Sequence, residues 1–113
     1  MLYLCTSKMR QEEVIQRIKE LGEKILPEGA SLWLYGSRAR DDARPDSDYD
    51  LLILLDKESL STNDISKYSY PLFYWGTGAG EEVNAQIYTV NEWKKMKWSP
   101  FNMNVEDDKM VLL

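Results

Sequence analysis

The stretch from Leu34 to Asp56, LYGSRARDDARPDSDYDLLILLD, decides how this chain is read. It opens at the end of a short apolar segment, Ser31 to Tyr35, whose aromatic and aliphatic side chains suit a buried strand. That strand runs directly into Gly36. A short helix is expected from Ser37, then a loop from Asp41 to Ser47 containing Pro45. From Asp48 to Asp56 the chain reads as a second strand. Its unbroken run Leu51-Leu52-Ile53-Leu54-Leu55 fits a strand covered on both faces rather than a half-solvated one.

Working outward, apolar residues at Val14, Ile15, Ile18, Leu21, Ile25 and Leu26 follow the spacing of one helix face. They predict a helix over Lys8 to Leu26, capped by Thr6 or Ser7 and ended by Pro27 and Gly29. Downstream, Ile65, Tyr68, Leu72 and Trp75 keep a helical rhythm, with Pro71 expected to kink or restart the helix. Gly76, Gly78 and Gly80 read as a flexible connection into a strand over Val83 to Thr89, where Val83, Ala85 and Ile87 alternate with polar neighbours. Thr89-Val90-Asn91-Glu92 matches a capping box, and the helix it starts is expected to reach about Lys97. Ser99-Pro100 is read as its stop. Strands separated by helices give an α/β fold, one mixed sheet with helices packed on it, and residues 1–113 are read as a single domain.

Composition removes several kinds of chemistry. The chain has no histidine and one cysteine, Cys5. Ser-His-Asp and Cys-His nucleophiles, His-ligated zinc and an intramolecular disulfide are therefore excluded. Lys and Arg number 14 against 19 Asp and Glu, a net charge of −5, which argues against a broad nucleic-acid-binding face. The apolar N-terminal run is too short for a signal peptide, and Leu51–Leu55 is too short to span a bilayer. No membrane association and a cytoplasmic location are the expectation.

Two groups of residues could do chemistry. Gly36-Ser37 sits where a strand meets a helix, a junction whose first amides have no partners and attract phosphate. Arg38 and Arg40 add planar donors suited to phosphate oxygens. Ser37 as a plain helix cap and the arginines as a solvated face would explain these residues equally well. Asp48 and Asp50 lie two apart, so on a strand both carboxylates face one side and can grip one cation. Solvated charges at a strand end are the ordinary alternative. Their place at the mouth of the most apolar strand favours a partner cation, and an all-oxygen site implies Mg²⁺ or Mn²⁺.

A phosphate cradle at the end of one strand, ten residues, then an acidic pair on the next strand describe a nucleoside triphosphate site. The stretch from Leu34 to Asp56 resembles the minimal nucleotidyltransferases of the DNA polymerase beta-like superfamily, marked by Gly-Ser, a spacer and Asp-x-Asp between apolar residues. QIYTVNEW and SPFNMNV extend the likeness across most of the chain. The resemblance implies that Gly36 and Ser37 hold the triphosphate of ATP or another nucleoside triphosphate, with Arg38 and Arg40 nearby. It implies that Asp48 and Asp50 carry the metals while a nucleoside monophosphate, most simply AMP, passes to an acceptor hydroxyl. Such proteins often accompany a small helical HEPN-type toxin, so an antitoxin role is one expectation; an antibiotic acceptor is another. A chain of this length leaves little room for an acceptor domain, and a second copy or a protein partner is expected to complete the site.

Two departures from the pattern stand out. Asp41 occupies a place that is often glycine in the family. A third carboxylate, expected near the start of the later strand to help deprotonate the acceptor, is aligned with Asn84, with Glu82 two residues earlier as the alternative. A catalytically impaired nucleotide-binding or partner-binding module is the rival reading. Elsewhere, Gly76–Gly80 is read as a connector, and Trp93, Met96 and Trp98 as packing residues. Glu106-Asp107-Asp108 is read as a solvated turn, while Tyr70 and Tyr74 mark a surface that could meet another chain.

Overall fold

The computed structural model describes the backbone of Leu2 to Leu113, with side chains described from Arg10 onward. Helix α1 (Leu2–Ile25) leads into β1 (Ser31–Tyr35), α2 (Ser37–Arg40) and β2 (Tyr49–Leu55). A three-residue turn α3 (Thr62–Asp64), a π-helical segment (Ile65–Ser69) and α4 (Tyr70–Gly78) then carry the chain to β3 (Val83–Thr89). Helices α5 (Val90–Lys95) and α6 (Pro100–Asp108) and the short strand β4 (Met110–Val111) complete it. The sheet order is β3-β2-β1-β4. β1 pairs antiparallel with both β2 and β4, while β2 and β3 run parallel. The sheet is therefore mixed, with helices on both faces. Among the described residues no helix is long and apolar enough to cross a membrane.

β2 organises the interior. Leu51, Ile53 and Leu55 enter one core with Val14 and Ile18 of α1 and Leu72 of α4. Leu52 and Leu54 enter the other, with Trp93 of α5 and Val105 of α6. All five residues from Leu51 to Leu55 are buried, as expected of a strand covered on both sides. β3 divides its side chains in the same way: Val83, Ala85 and Ile87 face the first core and Tyr88 the second. At the β3–α5 junction the Glu92 amide donates to Thr89 Oγ1 (3.0 Å) and the Thr89 amide donates to Glu92 Oε1 (2.8 Å), which closes the capping box.

Several local expectations are corrected. α1 begins at Leu2, so Thr6 and Ser7 lie inside it rather than at its cap; no Gly or Pro interrupts the chain before Gly22. Gly36, not Ser37, is the N-cap of α2. Ser99-Pro100 does more than stop a helix, because it starts α6: Ser99 Oγ accepts from the Asn102 amide at 3.0 Å, and Pro100 sits in the first turn, where its missing N–H costs nothing. Glu106 to Asp108 are consequently helical. The Trp93 Nε1–H donates to Glu106 at 2.7 Å, and Asp108 pairs with Arg40 at 2.7 Å. Trp93 is buried, whereas Trp98 is 76% exposed and packs little.

Around Pro71 the α-helix restarts, as expected, and it does so after a wider turn. The Tyr70 amide donates to the Ile65 carbonyl, five residues back, and Pro71 follows in the first turn of α4. One extra residue in the turn throws Ile65 out of the helical rhythm, and it stands 46% exposed, while Leu72 is fully buried.

The glycine segment is not a free connector either. α4 continues through Gly78, and Gly76 is packed against β3. A β-carbon at Gly76 would lie 2.5 Å from Val83 Cγ2 and 2.9 Å from Val83 Cβ, whereas one at Gly78 would meet nothing within 4 Å. Gly76→Ala is therefore expected to destabilise the protein by about 1–3 kcal/mol through overpacking. Gly78→Ala should be neutral or stabilising by up to about 1 kcal/mol through helix propensity. Urea unfolding of the two variants checks the contrast, and equal effects would contradict this packing.

Candidate active site

The site forms where β1, β2 and β3 meet α2. β1 ends at Tyr35, and the chain turns at Gly36 with φ 77° and ψ −156°, a conformation that only glycine adopts without strain. The Gly36 carbonyl accepts from the Ala39 and Arg40 amides (3.1 and 3.0 Å), which turns α2 sharply away from the strand. The Ser37 and Arg38 amides, being in the first turn, have no intrahelical acceptor.

Register brings the acids to this bend. Tyr35 pairs with Asp50 across the antiparallel ladder, and Asp50 pairs with Asn84 across the parallel one. The Asp50 carboxylate lies so close to the bend that a β-carbon at Gly36 would be 2.9 Å from Asp50 Oδ2. Asp48 stands one residue ahead of β2, and Asn84 Nδ2 faces its Oδ2 at 3.5 Å. Tyr49, between the two acids, is buried in the opposite core. Gly36, Asp48, Asp50 and Asn84 thus come together from four separate positions in the chain.

The electrostatics mark strain in this cluster. Burial pushes the Asp50 carboxyl above its ordinary pKa, and the neighbouring Asp48 charge pushes it further. Tyr35 is pushed up to about 12, mainly by burial and then by Asp50. Two half-buried carboxylates that repel each other are a site that a divalent cation would relieve. Among the described residues no three His, Cys, Asp or Glu side chains gather as a metal cluster, so Glu82 does not join the pair as a third acid. Its side chain is exposed just before β3, and its carbonyl accepts from the Tyr49 amide at 2.8 Å. The donor set is two carboxylates and the Asn84 amide, which suits a hard cation that keeps waters and takes phosphate oxygens as further ligands.

The two arginines are placed differently from each other, and neither guanidinium is free. Arg38 is 5% exposed and turned into the loop before Asp48. Its Nη2 donates to the Ser47 carbonyl at 2.8 Å, and its Cζ lies 4.3 Å from the centre of the Tyr49 ring. Arg40 is on the surface, paired with Asp42 at 3.1 Å and with Asp108 at 2.7 Å. Sequence reasoning missed Tyr35, which flanks Asp50, and Tyr49 as a platform for Arg38. Cross-strand register is what reveals the first, and no local pattern announces the second.

Beside Asn84 opens a groove of about 420 Å³, walled by Tyr70, Phe73 and Tyr74 and floored by Val83 to Gln86 at the start of β3. Tyr70, Phe73 and Tyr74 are exposed and stack edge to face, with Phe73 and Tyr74 5.5 Å apart. Ser69, from the π-helical turn, lines the same groove, and its Oγ is buried with no hydrogen-bond partner among the described residues.

Residues 12–110 match the family described as nucleotidyltransferase domain. The chain belongs to that family. Solved structures agree on the fold of this nucleotidyltransferase domain. A toxin-antitoxin complex with AMP-PNP superposes with a TM-score of 0.59 at 15% identity, covering 88% of this chain and 72% of the other. A mutant of the toxin-antitoxin pair MntA-HpeT gives 0.57 at 14% identity, with 88% and 71% covered. A candidate nucleotidyltransferase from Sulfolobus solfataricus gives 0.51 at 19% identity, with 95% and 83% covered. No curated protein matches the sequence.

The glycine that the resemblance leads one to expect after Arg40 would suit the local backbone. Asp41 caps α2 in the left-handed region, φ 64° and ψ 31°, where a side chain costs roughly 1–2 kcal/mol relative to glycine. Asp41→Gly is expected to raise stability by about 1 kcal/mol. Gly36→Ala should do the reverse, losing about 1–3 kcal/mol through the disfavoured φ and the collision with Asp50. Chemical denaturation of both variants tests the pair, and a stabilised Gly36→Ala would contradict this geometry.

Proposed function

We propose that this nucleotidyltransferase domain moves a nucleoside monophosphate, AMP from ATP, to an acceptor hydroxyl. Asp48 and Asp50 hold Mg²⁺ or Mn²⁺, and Gly36 with Ser37 receives the triphosphate. The observation that carries this reading is the approach of the Asp50 carboxylate to the Gly36 bend, which leaves a cation and a polyphosphate one shared place to sit. Bound there, the metal would offset charge on the phosphates and on the leaving pyrophosphate. The chain's own part is orientation. Glycine at the bend permits close approach of phosphate to backbone, and the first-turn amides of Ser37 and Arg38 are donors without intrahelical acceptors. Arg40, tied to Asp42 and Asp108 on the surface, would meet phosphate only by exchanging those partners.

In the transfer, the acceptor oxygen bonds to the α phosphorus as the bond to pyrophosphate breaks. The hydroxyl proton must pass to a base. Asn84, an amide, has no basicity to take it, and among the described residues Glu82 is not gathered with Asp48 and Asp50, which are committed to the cation; water is left as the proton acceptor. The aromatic groove beside Asn84 gives the acceptor its approach. A protein partner is the acceptor this wall suits, because Tyr and Phe side chains concentrate binding energy at protein interfaces. Two of the similar structures are toxin-antitoxin complexes, which supports a place in such a pair; the role of antitoxin to a HEPN-type toxin follows from the family resemblance of the sequence. The second reading, a nucleotide-binding module that no longer transfers, is favoured by one observation: an amide at position 84 beside Asp50.

Incubation with α-labelled ATP, Mg²⁺ and cell extract separates the two readings. Transfer by the wild type that falls at least about 100-fold in Asp48→Asn and Asp50→Asn is the expected result. Asn84→Asp should raise the rate about tenfold or more by restoring a base. Mg²⁺-dependent ATP binding without labelled product, in the wild type and in Asn84→Asp alike, would leave the binding module as the answer.

A further inference from the structure

Arg38 is the residue whose placement the nucleotide reading does not absorb. A guanidinium beside a phosphate site would ordinarily face it. Here each of its three nitrogens is spent inside the protein. Nε and Nη2 donate to the Ser47 carbonyl at 3.2 and 2.8 Å, Nη2 also donates to the Pro45 carbonyl at 3.2 Å, and Nη1 donates to Gln11 Oε1 at 2.9 Å. Its Cζ lies over Tyr49, 4.3 Å from the ring centre.

The two main contacts straddle Asp48. The Ser47 carbonyl and the Asp48 amide belong to one planar peptide unit, so gripping that oxygen sets the plane from which Asp48 departs. Tyr49, the residue on the other side, is held by the same guanidinium. The peptide after Asp48 is held by β3, where the Tyr49 amide donates to the Glu82 carbonyl at 2.8 Å, so Arg38 supplies the hold on the peptide before Asp48, and β2 begins immediately after it. The loop adds little rigidity of its own. Its turn is closed by the Ser47 amide on the Arg44 carbonyl at 3.0 Å and by the Arg44 amide on Ser47 Oγ at 2.9 Å, both of which leave the approach to Asp48 open. Arg38 itself is anchored in α2, two residues after Gly36.

We propose that Arg38 is a positioning residue: it joins the Gly36-Ser37 bend to the Ser47–Tyr49 backbone and so fixes where the Asp48 carboxylate stands relative to Asp50. The role needs a planar fork that serves two carbonyls at once. Lysine keeps the charge and offers no fork. The metal half of this proposal rests on the nucleotidyl-transfer reading, while the backbone half does not.

The test compares wild type, Arg38→Lys and Gln11→Ala, the last of which removes the Nη1 contact and the Gln11 Nε2 donation to the Arg38 carbonyl (3.5 Å) and leaves the Ser47 and Pro45 carbonyls gripped. Free Mn²⁺ is titrated by electron paramagnetic resonance in the presence of a non-hydrolysable ATP analogue. Amide hydrogen exchange of residues 44–50 is followed without metal, at a temperature where every variant is folded by circular dichroism. Arg38→Lys is expected to bind Mn²⁺ about tenfold more weakly or worse, in the range seen when groups that orient metal ligands are removed. It should also exchange faster over 44–50 and not over β1. Gln11→Ala should match the wild type in both measurements. Unchanged Mn²⁺ affinity in folded Arg38→Lys would overturn the proposal, since a purely stabilising residue shifts the melting point and leaves the site intact. If the wild type takes up no Mn²⁺, it is the metal reading that fails. Exchange over 44–50 then decides alone, and equal protection in Arg38→Lys would overturn the clamp.

Discussion

Everything near the candidate site depends on the abrupt change of character along β2. Five aliphatic side chains, Leu51 to Leu55, are buried alternately in two cores, and a slip of one residue would exchange every one of them between faces. That constraint fixes the register, and the register places Asp50 opposite Tyr35 on one side and Asn84 on the other. The acids are held at the rim of the interior by the apolar residues behind them. Their repulsion and partial desolvation are costs that the unliganded protein carries and that a bound cation would offset.

Much of this architecture could be read from local sequence. β1, β2 and β3 were marked by apolar runs and alternation, and the capping box at Thr89 by its spacing. The structure reproduces each within a residue or so. The junction at Gly36 and the Asp-x-Asp pair were visible because glycine and paired acids are conspicuous beside a hydrophobic strand. What the sequence hid depends on contacts distant in the chain. Gly76 looks like a flexible connector until β3 is seen against it. Ser99-Pro100 reads equally as an end or a beginning, and only the amide of Asn102 resolves which. Arg38 looks like a phosphate ligand by composition; its burial depends on Gln11, 27 residues earlier, and on a loop of no distinctive pattern. Asn84 is the reverse case: family resemblance singled it out as the residue at the third-carboxylate position, and the parallel register sets it beside Asp50.

The arrangement couples stability and chemistry unevenly. α2 is a single turn of four residues, too short to hold its own orientation. It is kept in place from outside by Arg40 reaching Asp108 of α6 and by Arg38 reaching the loop before β2. The exposed Arg40–Asp108 pair contributes little energy in water, whereas the buried Arg38 contacts replace several waters that the carbonyls would otherwise need. Side chains that a sequence reading assigns to the ligand therefore serve first to hold the scaffold around it.

The wide turn at Ile65–Ser69 has its own geometric consequence. One surplus residue rotates everything that follows by about 100° about the helix axis. Leu72 and Trp75 still reach the interior after that rotation, and Tyr70, Phe73 and Tyr74 are left on the rim beside Asn84. A regular helix through the same letters would have carried Ile65 on the side of Leu72, seven residues on, whereas here it is exposed and lines the groove. The bulge acts as a gear shift between two rods: the turn before it is rephased so that an aliphatic tooth joins the lip of the cleft, while α4 behind it keeps its grip on the sheet.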